Sequence, residues 1–374
     1  MIRLLLIGIL FLILFLLQRE VYKRLWQKHL NVKLAFSANH IFEGEWGELT
    51  EVVENRKRLP LSMLKVKFKT DRHLIFEAER GSSTTDRFYR NDIFRIGGGE
   101  KVTRTLRFQG GRRGYYTIDE AGLISSDLFL TAMFVADTPA SAYIYVYPRP
   151  YDSEIIRRSL TKLNGEVLAR RHLLEDPFEY RGIREYKPSD PMRSINWKAT
   201  ARTGELKVNQ RNYTSLKSIR IFFDIDSDIV IKREDCQEAS LSIVTGLCKF
   251  FLSQGIRVAC FGNGVDVRTS QPVVINARSG DGQMDSIYRA LARLDLEKPP
   301  VSFTDTFQER LFDGAGDTVT CFVASTRSAD FLSLLERYSA EGNEYIWFYP
   351  VPGAGEPEFP PSLAESVCVV HLGL

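Results

Sequence analysis

Residues 218–226, SIRIFFDID, carry apolar side chains at adjacent positions, with Ile221, Phe222 and Phe223 in a row, and end in aspartates. A half-exposed strand alternates polar and apolar side chains, whereas a run apolar on both faces belongs to a strand covered on both sides. Outward from it, 234–254 reads as an amphipathic helix, and 256–264 (IRVACFGNG) as a second buried strand. An edge hairpin is expected over 267–276, a helix over 283–295, a strand over 317–326 and a helix over 329–342. Strands over 344–351 and 366–372 close the pattern. Helices alternating with continuous apolar strands require a mostly parallel sheet with both faces covered, so 216–374 is expected to be an α/β, Rossmann-type domain.

Upstream the period changes from mixed to two. Residues 33–70, KLAFSANHIFEGEWGELTEVVENRKRLPLSMLKVKFKT, alternate and are broken by charged and proline turns. Short strands at that spacing predict an all-β sandwich of immunoglobulin-like layout over 31–150, closed by ASAYIYVYPRP at 140–150. Gly97, Gly98 and Gly99 are followed by neither a Lys-Ser or Lys-Thr pair nor a helical pattern, so they read as a hairpin turn rather than a phosphate loop. Over 152–174 the spacing of Ile155, Ile156, Leu160, Leu163, Val167 and Leu168 is helical. That helix opens a connecting segment, 151–215.

At the other end, 4–17 is the uninterrupted apolar run LLLIGILFLILFLL. Alone it is shorter than the roughly twenty residues that span a bilayer. Val21, Tyr22, Leu25 and Trp26 extend it where aromatic rings settle at an interface. No small-residue cleavage site follows, so 1–28 is expected to be an uncleaved, single-pass membrane anchor. Arg19, Lys23, Arg24 and Lys28 follow the run against Arg3 alone before it, which places the remainder of the chain in the cytoplasm. Five cysteines without a CxxC pair read as buried free thiols and agree with that side. With 26% charged residues and a net charge of +3, the composition is globular and too weakly basic to argue for nucleic acid.

The densest chemistry lies in 178–213, FEYRGIREYKPSDPMRSINWKATARTGELKVNQRNY. Arg184, Arg193 and Arg202 stand among Tyr186, Trp197 and Tyr213, with Glu185 and Asp190 close by. Guanidinium groups pair with carboxylates and stack on rings, so this set reads either as a self-satisfied clamp or as a docking or ligand surface. The stretch resembles the signature of a bacterial family known as domain of unknown function 58. Gly182, Arg184, Tyr186, Pro188, Asp190, Arg193, Ile195, Trp197, Ala201, Arg202, Leu206 and Val208 fill its places, and Ser189 stands where the family has glycine. A second stretch, GGRRGYYTIDEAGLISSDLF at 110–129, resembles the family's Arg-Gly-Tyr strand and following Asp-Phe turn.

The order of elements after 216 and the acidic end of the first strand resemble a von Willebrand A-type domain. Such domains often hold a divalent cation at an Asp-x-Ser-x-Ser set. Asp224, Asp226 and Asp228 occupy those positions, and alternate oxygen ligands could face one magnesium ion. The alternative is a row of solvated strand-end carboxylates. No GxSxG, HExxH or P-loop pattern occurs, so an enzyme is not expected. The family resemblance implies an adaptor working with a MoxR-type AAA+ ATPase in assembly of membrane or envelope complexes. Its contact is expected at loops on the carboxyl ends of the α/β strands. A nucleic-acid or small-ligand binder using the Arg/aromatic stretch is the second reading; there Tyr186 or Trp197 would stack bases.

Overall fold

A computed structural model of the chain describes residues 2–77, 82–85, 89–152, 154, 156, 158, 175–188, 190, 192–213, 218–227, 233–313, 318–353, 355 and 357–372. The chain divides into two units, one of Met1–Arg149 with Tyr288–Leu294 and one of Pro150–Ile287 with Asp295–Leu374. Residues 288–294, assigned by sequence pattern to the C-terminal domain, thus group with the first unit.

In the first unit the apolar run forms α1 (Ile2–Leu25), a helix long and apolar enough over Leu5–Leu25 to cross a membrane. Its end has another task. Tyr22 and the following Trp26 are buried in the same core as the strands, and the Tyr22 hydroxyl donates to the carbonyl of Pro60 at 2.8 Å. The strands are β1 (Leu30–Phe36), β2 (His40–Phe42), β3 (Trp46–Asn55), β4 (Leu61–Lys69), β5 (Leu74–Phe76), β6 (Ser82–Thr85), β7 (Tyr89–Ile96), β8 (Lys101–Gly110), β9 (Gly114–Ser126) and β10 (Met133–Tyr147). They make two sheets, ordered β1-β3-β8-β5 and β2-β10-β9-β4-β7-β6. Period-two alternation turns Leu64, Val66 and Phe68 of β4 and Leu49 and Val53 of β3 into one shared core with Leu106, Phe108, Ile118 and Ile144.

One inward position of β3 carries a carboxyl group. Glu51 is fully buried between Leu49 and Val53, and neither of its carboxyl oxygens has a hydrogen-bond partner among the described residues. Its register partner on β8 is Arg104, which gives its guanidinium to Asp92 instead, at 3.1 Å. Asp92 also takes Arg90 Nε at 2.9 Å. Burial, then the nearby Asp92 charge, push the Glu51 carboxyl up to about 8 against the pull of Arg104 and Arg90.

The second unit begins with the connecting segment. Most of the helix expected over 152–174 lies outside the described residues; 154, 156 and 158 are helical. Beyond it β11 (Glu175–Glu185) and β12 (Lys207–Tyr213) pair antiparallel, with α2 (Trp197–Thr203) in the excursion between them. The sheet that follows contains β13 (Ser218–Ser227), reached by the chain before α3 (Arg233–Ser253), β14 (Arg257–Asp266) and β15 (Pro272–Arg278). Then come α4 (Asp281–Ala292), β16 (Leu294–Asp295), α5 (Phe303–Phe312), β17 (Thr318–Ser325), α6 (Ala329–Ala340), β18 (Tyr345–Pro352) and β19 (Val367–Leu372). Its main path is β15-β14-β13-β17-β18-β19, with every pairing on it parallel except that of edge strand β15, and β16 pairs with β14 off this path. Eight consecutive buried residues open β13, Ser218, Arg220 and Asp224 among them, as a strand covered on both faces requires. Within this unit Phe223 lies over Gly262, its register partner on β14; a Cβ there would collide with the ring.

Candidate functional site

The 178–213 segment is held by its own hydrogen bonds. Arg184 grips Asp190 with both ends of its fork, Nη1 to Oδ2 and Nη2 to Oδ1, each at 2.7 Å. Asp190 Oδ2 also accepts from the Lys187 backbone N–H at 2.8 Å, closing the turn. The Arg184 hydrogen bonds, followed by that backbone donor, hold the Asp190 carboxyl down at about 2. Asn196 caps α2 by accepting from the Ala199 N–H, while its amide nitrogen donates to Asn209 Oδ1 at 2.6 Å. Gly204 ends the helix in the left-handed conformation, with φ of 75°. The Lys207 N–H donates to Thr200 Oγ1, which ties the returning strand to α2. Ile195 and Val208 are buried against one another across an isolated bridge.

This scaffold displays apolar side chains outward. Trp197 is 63% exposed and Met192 68%, with Ile183 and Leu206 also open. α2 buries no residue; Lys198 and Arg202 are exposed on it, so Arg202 is not part of the clamp. Tyr186 is half-buried. The Arg193 side chain lies outside the described residues. Of the six expected residues, Arg184 and Asp190 come together, whereas Trp197 and Arg202 face outward. The density of aromatics could not show this, because a seven-residue helix capped at both ends carries no marked inner face.

The carboxyl end of β13 meets β14 on one side and β17 on the other, the point where the strand order reverses. Asp224 Oδ1 accepts from the Asp226 N–H at 2.8 Å and from Asn263 Nδ2 at 2.6 Å. Asn263 is itself fixed: its Oδ1 takes the Ile225 N–H, and its Nδ2 reaches the Val301 carbonyl. Asp226 pairs with Arg233 at 2.8 Å, and Gln237 donates to the Ile225 carbonyl. Asp228 lies outside the described residues. Among the described residues no group of three or more His, Cys, Asp or Glu gathers as a metal would need. Asp224 and Asp226 brace the strand end through amide and guanidinium partners. Asn263 escaped sequence reading, although it falls in the small-residue stretch FGNG at the end of β14.

None of the five cysteines forms a disulfide. Burial pushes the Cys321 thiol up to about 12 and raises Cys248, which leaves both poor nucleophiles.

No protein-family model matches the chain, and no curated protein matches it. Solved structures similar to part of it include a non-cellulosomal cohesin from Archaeoglobus fulgidus, at 10% identity over 34% of this chain and 97% of that one, with a TM-score of 0.23. A ScaB type I cohesin from Pseudobacteroides cellulosolvens is similar at 12% identity over 33% and 97%, with a TM-score of 0.22. A cohesin module from Clostridium perfringens is similar at 6% over 30% and 96%, with a TM-score of 0.23.

Proposed function

We propose that the chain is a membrane-anchored, non-enzymatic interaction protein whose 178–213 segment docks a protein partner. The partner is a MoxR-type AAA+ ATPase, or a complex that this ATPase remodels during assembly at the membrane or envelope. One observation carries the reading: a segment locked by the bidentate Arg184 and Asp190 pair displays Trp197 at 63% exposure and also exposes Met192, Ile183 and Leu206. Exposed aromatics on a pre-ordered scaffold lose little entropy on binding and are the usual anchors of interfaces. The likeness of 178–213 and 110–129 to the domain of unknown function 58 signature supports the choice of ATPase. The reversal of strand order at β13 and β17 supports reading the second unit as von Willebrand A-like, and the two facing sheets support an immunoglobulin-like layout for the first.

The test is equilibrium binding of the full chain in detergent to the purified MoxR-type ATPase of the same organism. Trp197→Ala is expected to weaken binding about tenfold or more, roughly 1.4 kcal/mol, with an unchanged melting temperature. No binding by the unaltered chain, or equal binding by the variant, would sink the proposal. Chelator in the same assay decides whether magnesium at Asp224, Asp226 and Asp228 takes part. Exposed Lys198 and Arg202 beside Trp197 favour one competitor, single-stranded nucleic acid. A steep loss of nucleic-acid binding with salt, in the absence of ATPase binding, would select it.

A further inference from the structure

The turn between β9 and β10 is built to hold apolar side chains outward. The Leu130 N–H donates to the Asp127 carbonyl and the Asp127 N–H to the Ala132 carbonyl, at 3.1 and 3.2 Å. The buried Asp127 carboxylate accepts from the Thr131 N–H, the Thr131 hydroxyl, the Ala132 N–H and Gln18 Nε2. That network fixes Leu130 at φ of 59°, a left-handed conformation that leucine seldom adopts without support. Its result is the exposed row Leu128, Phe129 and Leu130, continued along the edge of β10 by Met133 and Val135 at 67% and 68% exposure. Contiguous apolar surface of this kind marks an interaction site.

The position of the row beside α1 says what covers it. The Phe129 ring lies 5.9 Å from the Phe15 ring, and the Gln18 side chain donates to Asp127 one turn further on. Trp26 stacks with Phe134 of β10 at 6.4 Å. Tyr22 and Trp26 are committed to the core of the sheets, so the helix there is unavailable to lipid. The apolar run 4–17 supplies about 21 Å of helix, against a hydrocarbon thickness of about 30 Å. A bilayer spanned by α1 must therefore reach the level of Phe15 and Gln18, where the row projects, or thin to meet it.

We propose that residues 128–130, with Met133 and Val135, insert into the membrane interface alongside α1, and that lipid acyl chains are their occupant. This rests on reading α1 as a membrane span. Phe129 and Leu130 then enter the bilayer boundary, and Arg19, Lys23 and Arg24 stand at headgroup level.

The experiment uses the full chain in vesicles of phosphatidylcholine and phosphatidylglycerol, with Cys368→Ser removing the one cysteine that is not buried. A fluorophore is attached through Phe129→Cys, Phe11→Cys or Trp46→Cys, and quenched by lipids bearing nitroxides at shallow or deep positions. Trp46 follows shortly after β2, which pairs with Tyr145–Tyr147 at the far end of β10, about 40 Å along the strand, and serves as the aqueous reference. Several-fold quenching at 129 by the shallow nitroxide, deep quenching at 11 and none at 46 is the expected result. Quenching at 11 with none at 129 overturns the inference and leaves the membrane span standing. No quenching at 11 overturns both. A label at 129 shielded from aqueous iodide yet untouched by lipid nitroxides means that protein, such as a second copy, covers the row, which overturns the lipid assignment. Leu128→Cys, which disturbs neither the ring contact nor the left-handed residue, repeats the measurement if Phe129→Cys fails to fold.

Discussion

Glu51 makes the first unit sensitive to pH. Its folded carboxyl is raised to about 8 by burial and by Asp92, while the unfolded chain releases the same proton near 4.5. The folded state therefore holds the extra proton between those values. Its stabilising effect is complete below about 4.5 and is lost as pH rises toward 8, at up to ~1.4 kcal/mol per pH unit, a few kcal/mol in all. Urea midpoints of the full chain in detergent should fall from pH 5 to pH 8, and Glu51→Gln should flatten the curve. An equally steep curve for the variant would contradict the assignment. Glu51 sits in the inward phase of LTEVVEN, so its burial could be read from alternation. Its lack of a partner could not, because the cognate Arg104 is drawn to Asp92 across the core, a contact distant in sequence.

Elements fit together here through glycine as much as through apolar side chains. In α3 the backbone at Gly246 lies against Tyr151, whose N–H donates to the Ser242 carbonyl at 2.9 Å. A Cβ at 246 would meet the Tyr151 carbonyl oxygen, a backbone atom with little freedom to move. Gly246→Ala gains about 1 kcal/mol of helix propensity but forces this overlap, which typically costs 1–3 kcal/mol or more. The clash should dominate, lowering the urea midpoint; a raised midpoint would show that the two segments do not meet this way. Sequence periodicity located α3 to within a residue, since 234–254 was expected and Arg233–Ser253 is found. It was silent on Gly246, which reads as an ordinary interruption. The same limit applies to α2, where the residue types of the clamp were visible but the outward face of Trp197 was not.

For the whole molecule the organising feature is that α1 continues directly into the core of the sheets through Tyr22 and Trp26, without a flexible spacer. We propose, from the basic residues after the apolar run, that residues 30–374 face the cytoplasm. Protease added to intact cells should leave that mass whole and should degrade it once the membrane is opened; digestion in intact cells would reverse the topology. Alternation before residue 150 and runs of adjacent apolar residues after 216 made the sheets of both units legible, because burial on one face or two is written directly into the pattern. Partner choice is not written there. The most direct measurement is hydrogen exchange of the full chain in lipid nanodiscs with and without the MoxR-type ATPase. The account predicts slowed exchange at the amides of 195–207, around Trp197, when the ATPase is bound. Unchanged exchange across that segment, despite saturating ATPase, would contradict it.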